Sequence, residues 1–149
     1  MVVLIDRATC DAHREAGPLE KGTLYYPEHR FNPEDLLTFI ELKPFTRRWE
    51  NLELTTDDLL TLQIAIMCDP LKPPVIPGTG GLRKLRFAPA GWNKGKSGAL
   101  RVCYAYFEEH KTVLLTIVYA KNEKENLTQE EKNQINKLLA AIKAEFDNG

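Results

Sequence analysis

The hydrophobic pattern changes period along the chain, and each change marks an element. Residues 36–42, Leu-Leu-Thr-Phe-Ile-Glu-Leu, have strand composition. Pro44 interrupts them, and Phe45, Trp49 and Leu52 then recur at helical spacing. Thr55 or Thr56 can cap a second helix, with Asp57 and Asp58 favourable in its first turn. Leu59, Leu62, Ile66 and Met67 give that helix one apolar face, and it must end before Pro70. Two helices joined by a short polar connection form a hairpin that can cover a sheet.

Pro70, Pro73, Pro74 and Pro77 stiffen the connection that follows. A strand is then expected over residues 82–87, with Leu82, Lys84 and Arg86 on one side and Arg83, Leu85 and Phe87 on the other. A polar loop, 88–98, leads to strands at 100–107 and 113–119, which turn through Glu108, Glu109, His110 and Lys111. Short connections make these three strands an antiparallel meander. In the last of them strict alternation groups Val113, Leu115, Ile117 and Tyr119 against Leu114, Thr116 and Val118. Both sets are largely apolar, so this strand is expected to be central and covered on both faces. Thr128 with Glu131 forms a capping-box pattern that opens a final helix. Its apolar stripe is Ile135, Leu138, Leu139, Ile142 and Phe146, and its mixed Lys and Glu face suits solvent.

The first part of the chain lacks a sustained period. Val2 to Ile5 suits a short strand, Asp11 to Glu15 a helical turn stopped by Gly17-Pro18, and Thr23 to Tyr26 a strand stopped by Pro27. The expected organisation is an extension of unassigned role over 1–36 and a single α+β domain over 37–149.

Composition changes the picture through where the charge sits. The 149 residues carry a formal charge of only -1. Yet residues 78–106 contain Arg83, Lys84, Arg86, Lys94, Lys96 and Arg101 and no Asp or Glu. Such segregation on a sheet would attract a polyanion. Lys84, Arg86 and Arg101 can bind phosphates, and Tyr104, Tyr106 and Tyr119 can stack on bases or donate hydrogen bonds. Cys10, Cys68 and Cys103 lack zinc-ligand or redox spacing. The histidines His13, His29 and His110 are scattered, and His110 reads as an exposed bystander in a turn. No metal or cofactor is therefore called for. The glycines at 78, 80 and 81 lack the GxxxxGK[ST] pattern and precede a strand, which argues against a phosphate-cradling loop. The odd cysteine count fits a reducing cytoplasm, and the apolar run 1–5 is too short for a secretory core or a membrane span.

Chemistry on a polyanion without metal points to RNA cut by its own 2′-hydroxyl. A base removes that proton, cations stabilise the phosphorane, and an acid protonates the leaving 5′-oxygen. The plainer alternative is a cationic face that only binds phosphate or an acidic partner.

The run 77–86, Pro-Gly-Thr-Gly-Gly-Leu-Arg-Lys-Leu-Arg, followed by a Gly/Lys loop, by 101–106, Arg-Val-Cys-Tyr-Ala-Tyr, and by 119–128, Tyr-Ala-Lys-Asn-Glu-Lys-Glu-Asn-Leu-Thr, resembles the HigB branch of the RelE/ParE toxin superfamily. The resemblance covers about residues 36–146. It implies a RelE-like fold, with a helical hairpin and a C-terminal helix packed on a small twisted antiparallel sheet. It also implies a type II toxin that enters the ribosomal A site and cuts mRNA without metal. Its partners would be the ribosome, mRNA and a cognate antitoxin, a small helix-turn-helix protein, and not a membrane. The catalytic set it implies is Lys84, Arg86, Arg101, Lys121, Tyr104 and Tyr119. Around it, Arg83, Lys94, Lys96, Tyr106 and Phe87 are expected to contact RNA. The chain departs from that pattern at Phe87, where the branch usually has Trp, in a less basic loop, and in residues 1–36. Two alternatives stand beside it: a ParE-like gyrase binder without nuclease activity, and a degenerate toxin that serves as a partner-binding module.

Overall fold

A computed structural model describes residues 3–6, 24–26, 29–31, 36–89, 99–121, 123 and 126–149, and before residue 37 it gives the backbone course alone. The elements in order are β1 (Val3–Asp6), β2 (Leu24–Tyr26), β3 (His29–Phe31), β4 (Leu36–Glu41), α1 (Lys43–Asn51), α2 (Thr56–Cys68), β5 (Leu82–Phe87), β6 (Leu100–Phe107), β7 (Thr112–Ala120) and α3 (Gln129–Asn148). The main sheet has the order β1-β4-β7-β6-β5, and β2 pairs with β3 apart from it. The expected α+β class holds, and β5, β6 and β7 form the expected antiparallel meander.

Two expectations are corrected. The sheet is mixed, because β4 runs parallel to β7. The cause is the helical crossover. It carries the chain back so that β5 restarts in the direction of β4, and the meander then leaves β7 running the same way. The stretch before residue 37 also contributes to the sheet, since β1 pairs antiparallel with β4. Asp11 to Glu15 lies outside the described residues.

The helices form where local chemistry directs them. Pro44 occupies the first turn of α1, where its missing N–H costs nothing. Thr55 opens α2 with a reciprocal capping box, its hydroxyl accepting from Asp58 N–H and the Asp58 carboxylate accepting from Thr55 N–H, both at 3.0 Å. Thr128 and Glu131 do the same for α3, at 3.1 and 2.9 Å. Phe45 and Trp49 of α1 and Leu62, Ile66 and Met67 of α2 bury one sheet face, against Phe39, Val102, Tyr104 and Leu115. Trp49 stacks on Phe45 and Phe87, with ring centroids 5.5 and 6.1 Å apart. Ile135 and Leu139 of α3 cover the opposite face, against Leu82, Cys103, Ala105 and Leu114. Leu138, expected in that stripe, is exposed at 38%. The stripe runs Ile135, Leu139, Ile142, Phe146, and Leu138 falls beside it.

Strict alternation in β7 fails at one point. Cys103 pairs with Ile117, but Tyr104 pairs with Leu115, so Thr116 is an extra residue opposite β6. Its hydroxyl donates to the Leu114 carbonyl at 3.2 Å. This bulge shifts the phase by one residue. Val113 and Leu115 face α1 and α2, as does Val118 beyond the bulge, while Ile117 and Tyr119 join Leu114 on the α3 side.

The connection from α2 to β5 is structural. Ile76 N–H donates to Leu82 O at 2.8 Å and Lys84 N–H to Pro74 O at 3.1 Å, which covers part of the outer edge of β5. Thr79, fully buried, ties the glycine turn: its hydroxyl donates to Ile76 O at 2.6 Å and accepts from Leu82 N–H at 3.0 Å. Gly80 has φ +80°, and a Cβ there would lie 2.7 Å from Asn136 Oδ1 of α3. A Cβ at Gly78 would meet Lys132 Cδ at 3.8 Å. Lys132 and Asn136 are one helical turn apart, so α3 lies along this turn.

Gly80→Ala is expected to cost about 1–3 kcal/mol, from its left-handed backbone and the crowding of Asn136. Urea unfolding of the variant measures this. Adding Asn136→Ala should recover only the crowding part, since the backbone strain remains.

A candidate anion-binding site

The cationic face is built by strand register. Arg86 of β5 lies directly opposite Arg101 of β6, and Arg101 lies directly opposite Tyr119 of β7. Such neighbours have Cβ atoms about 4.5–5.5 Å apart. Lys84, two residues before Arg86, is on the same face and opposite Cys103. α3 covers the Leu82 and Ala105 end of this face, and Lys84, Arg86, Arg101 and Tyr119 follow toward the other end, with Tyr119 still packed in the same buried cluster. Lys121 follows β7 at that end and is exposed. Sequence parity alone would not have separated Tyr119 from Val113 and Leu115. The Thr116 bulge brings it to the arginines.

Arg86 is exposed, whereas Arg101 is only 5% exposed. The Arg101 guanidinium donates from Nη1 to the Ala99 carbonyl at 2.9 Å. Among the described residues, no carboxylate is hydrogen-bonded or ion-paired to it. A like charge directly opposite is unfavourable, and so is a buried cation without a counter-ion. Both costs fall when an anion occupies the face.

Tyr119 is buried, and its phenol is pushed up to about 12. Desolvation is the main cause. The neighbouring Cys103 thiol adds to it, and Arg101 opposes it. The group therefore keeps its proton at neutral pH. The turn beyond β7 is held from α1: the Glu123 carboxylate pairs with Arg48 and accepts from Ala120 N–H.

Several expected site residues lie elsewhere. Tyr104 belongs to the core on the α1/α2 face, is fully buried, and donates to the Pro70 carbonyl at 2.7 Å. Burial raises its pKa strongly. Phe87 is buried under Trp49 and Tyr106 packs against the same core, so neither presents a ring on the cationic face. Arg83 points to the α2–β5 connection, where Nη1 donates to Leu71 O at 2.8 Å and Pro73 O at 2.7 Å. In each case odd-even parity along the strand decides the outcome. Lys94 and Lys96 lie outside the described residues.

Other features were not expected. A cleft of about 260 Å³ continues from the cationic row, lined by Lys84 and Tyr119 together with Pro74–Pro77 of the connection and Asn126, Leu127 and Lys132 before and within α3. Lys132 belongs to the helix face expected to meet solvent, and Asn126 carried no expectation beyond its place in the run 119–128. A roomier cavity of about 760 Å³ shares none of these residues, and Glu108 and Glu109 line it, which disfavours an anion there. His110 is more than a bystander. Its Nε2 lies 2.9 Å from Asp147 Oδ1, its ring packs on Phe146, and Glu109 completes a group whose ligand-type atoms are within 4.8 Å of one another. Among the described residues, no helix is long and apolar enough to cross a membrane. No family model matches the chain.

Tyr104→Phe should cost about 1–3 kcal/mol, because it leaves the Pro70 carbonyl buried without its donor. Chemical denaturation measures that loss. The buried phenols also set an alkaline limit. Tyr119 ionises near 10 in an unfolded chain and near 12 when folded, so between these values the unfolded state holds fewer protons. Stability from this group is complete below pH 10 and declines as pH rises toward 12. Phenolate absorbance and circular dichroism recorded together should show this decline, and Tyr119→Phe should reduce it.

Proposed function

We propose that this chain is the toxin of a type II toxin–antitoxin pair of the HigB kind within the RelE/ParE superfamily. It would act as a ribosome-dependent endonuclease on mRNA in the A site. The observation that carries this reading is Arg101: a nearly buried guanidinium, opposite a second arginine, without a carboxylate partner among the described residues. The resemblance of residues 77–128 supports the same reading. A partner in the form of a small helix-turn-helix antitoxin would hold the toxin inactive.

Each group has a role in cleavage by the RNA's own 2′-hydroxyl. Arg86 and Arg101 hold the non-bridging phosphate oxygens and take up charge as the phosphorane forms. A base accepts the 2′-hydroxyl proton, and Lys84, as a neighbouring cation, is the candidate for lowering that base's pKa. The 2′-oxygen bonds to phosphorus, the bond from phosphorus to the 5′-oxygen breaks, and a 2′,3′-cyclic phosphate remains. Tyr119, held protonated, donates its proton to the departing 5′-oxygen. Lys121 adds positive charge at the open end of the sheet.

Inducible expression with mapping of mRNA 5′ ends tests this directly. Codon-phased cuts are expected with ribosomes present and not without them. Arg86→Ala should lower cleavage by about 10²-fold or more, with stability changed by no more than about 0.5 kcal/mol because Arg86 is exposed. Tyr119→Phe should also lower it by about 10²-fold. Growth arrest with intact mRNA and damaged DNA would instead favour a ParE-like gyrase inhibitor. Full cleavage by both variants would reject the site.

A further inference from the structure

The 260 Å³ cleft beside the cationic row has its own chemistry. Lys84 and Tyr119 belong to both, so a chain engaged by Arg86 and Arg101 reaches the cleft without a gap. Lys132 enters from α3. Its stem passes beside Gly78, with Cδ 3.8 Å from where a Cβ there would stand, and this brings a second ammonium to the rim. The lining contains no carboxylate. An acid that acts on Tyr119 is Glu131, and its carboxylate accepts from Thr128 N–H at 2.9 Å. Pro74 and Pro77 offer apolar ring faces without N–H groups. Asn126 is the lining side chain that carries an amide, which both donates and accepts.

Two cations, an apolar wall and a single amide suit one nucleotide. The lysines meet its phosphate, the proline rings face its base, and the amide can read a base edge. The size agrees, being just below the ~300 Å³ at which sites for drug-sized ligands begin. We propose that this cleft is a nucleotide subsite that holds the residue flanking the cleaved phosphodiester, with Lys132 and Asn126 as its selecting side chains. This rests on the RNA-cleaving reading above and adds to it a place where sequence preference is set. Arg86 and Arg101 act on the phosphate and are blind to base identity. Asn126 is positioned to tell bases apart.

The test has two arms. In the first, each of the four ribonucleoside monophosphates is titrated into the full chain and followed by amide chemical shifts. Saturable shifts at the Asn126 side-chain amide and at Lys132 are expected, with affinity about tenfold weaker in Lys132→Ala. In the second, mRNA cuts are mapped in Asn126→Ala. The base frequency beside the cut should flatten for Asn126→Ala, while cutting continues at a rate well above that of Arg86→Ala. Both side chains are at least partly exposed, so folding should be retained, and thermal unfolding checks it. Unchanged base frequencies together with no shifts at Asn126 would overturn the subsite and leave the nuclease reading standing. If the chain cuts no RNA, that reading falls and the subsite as stated falls with it. Nucleotide shifts at Asn126 would then mark only a binding cleft.

Discussion

β7 has to satisfy two cores at once. It is the middle strand of five, with α1 and α2 on one side and α3 on the other, so nearly every side chain it carries is committed to burial. A strand under that constraint has no spare face for polar chemistry. The extra residue at Thr116 resolves the conflict. It keeps apolar side chains toward both helical layers and still turns Tyr119 toward the side where Arg101 sits. Without that phase shift the phenol would point into the core of α1 and α2, and the arginine pair would lack an adjacent phenol.

The same geometry explains why the charges collect at one end of the sheet. α3 is fastened over Leu82, Cys103 and Ala105 by its apolar stripe and by the glycine turn beneath Lys132 and Asn136. Toward the other end Arg86 is exposed, while Arg101 and Tyr119 stay nearly buried. Side chains there can be long and charged without disturbing packing, and β5 and β6 place arginines at facing positions. Their repulsion is borne by a scaffold packed on both faces, so the cations are arranged without help from a ligand. Such preorganisation is what electrostatic catalysis and tight phosphate recognition require.

Much of this could be read from periodicity. The helical hairpin, the meander, both threonine caps and the face shared by Lys84 and Arg86 follow from spacing and capping chemistry. The parallel pairing of β4 with β7 did not, because it depends on where a crossover delivers the chain and not on any local pattern. The bulge was equally hidden: Thr116 has strand propensity and fits unbroken alternation. For that reason the sequence groups the tyrosines by type alone. Only register shows that Tyr104 anchors Pro70 while Tyr119 faces Arg101. Arg83 shows the same limit. Among basic neighbours it looked like part of the patch, but its odd position turns it to the carbonyls of Leu71 and Pro73. Asn126 and Lys132 were missed because a cleft between a loop and a helix has no sequence period at all.

The proline-rich connection has a further consequence for the sheet margin. An outermost strand with free N–H and carbonyl groups is a template on which other chains can add. Here Pro74 and Ile76 already occupy the outward groups of Lys84 and Leu82. Pro73, Pro74 and Pro77 cannot donate a next row of ladder bonds. The chain thus seals part of its own outer strand with a segment that cannot itself be extended. Arg86 follows just past the sealed stretch, and its charge opposes the approach of a second basic strand. A device that shapes the wall of the cleft also guards against edge-to-edge aggregation.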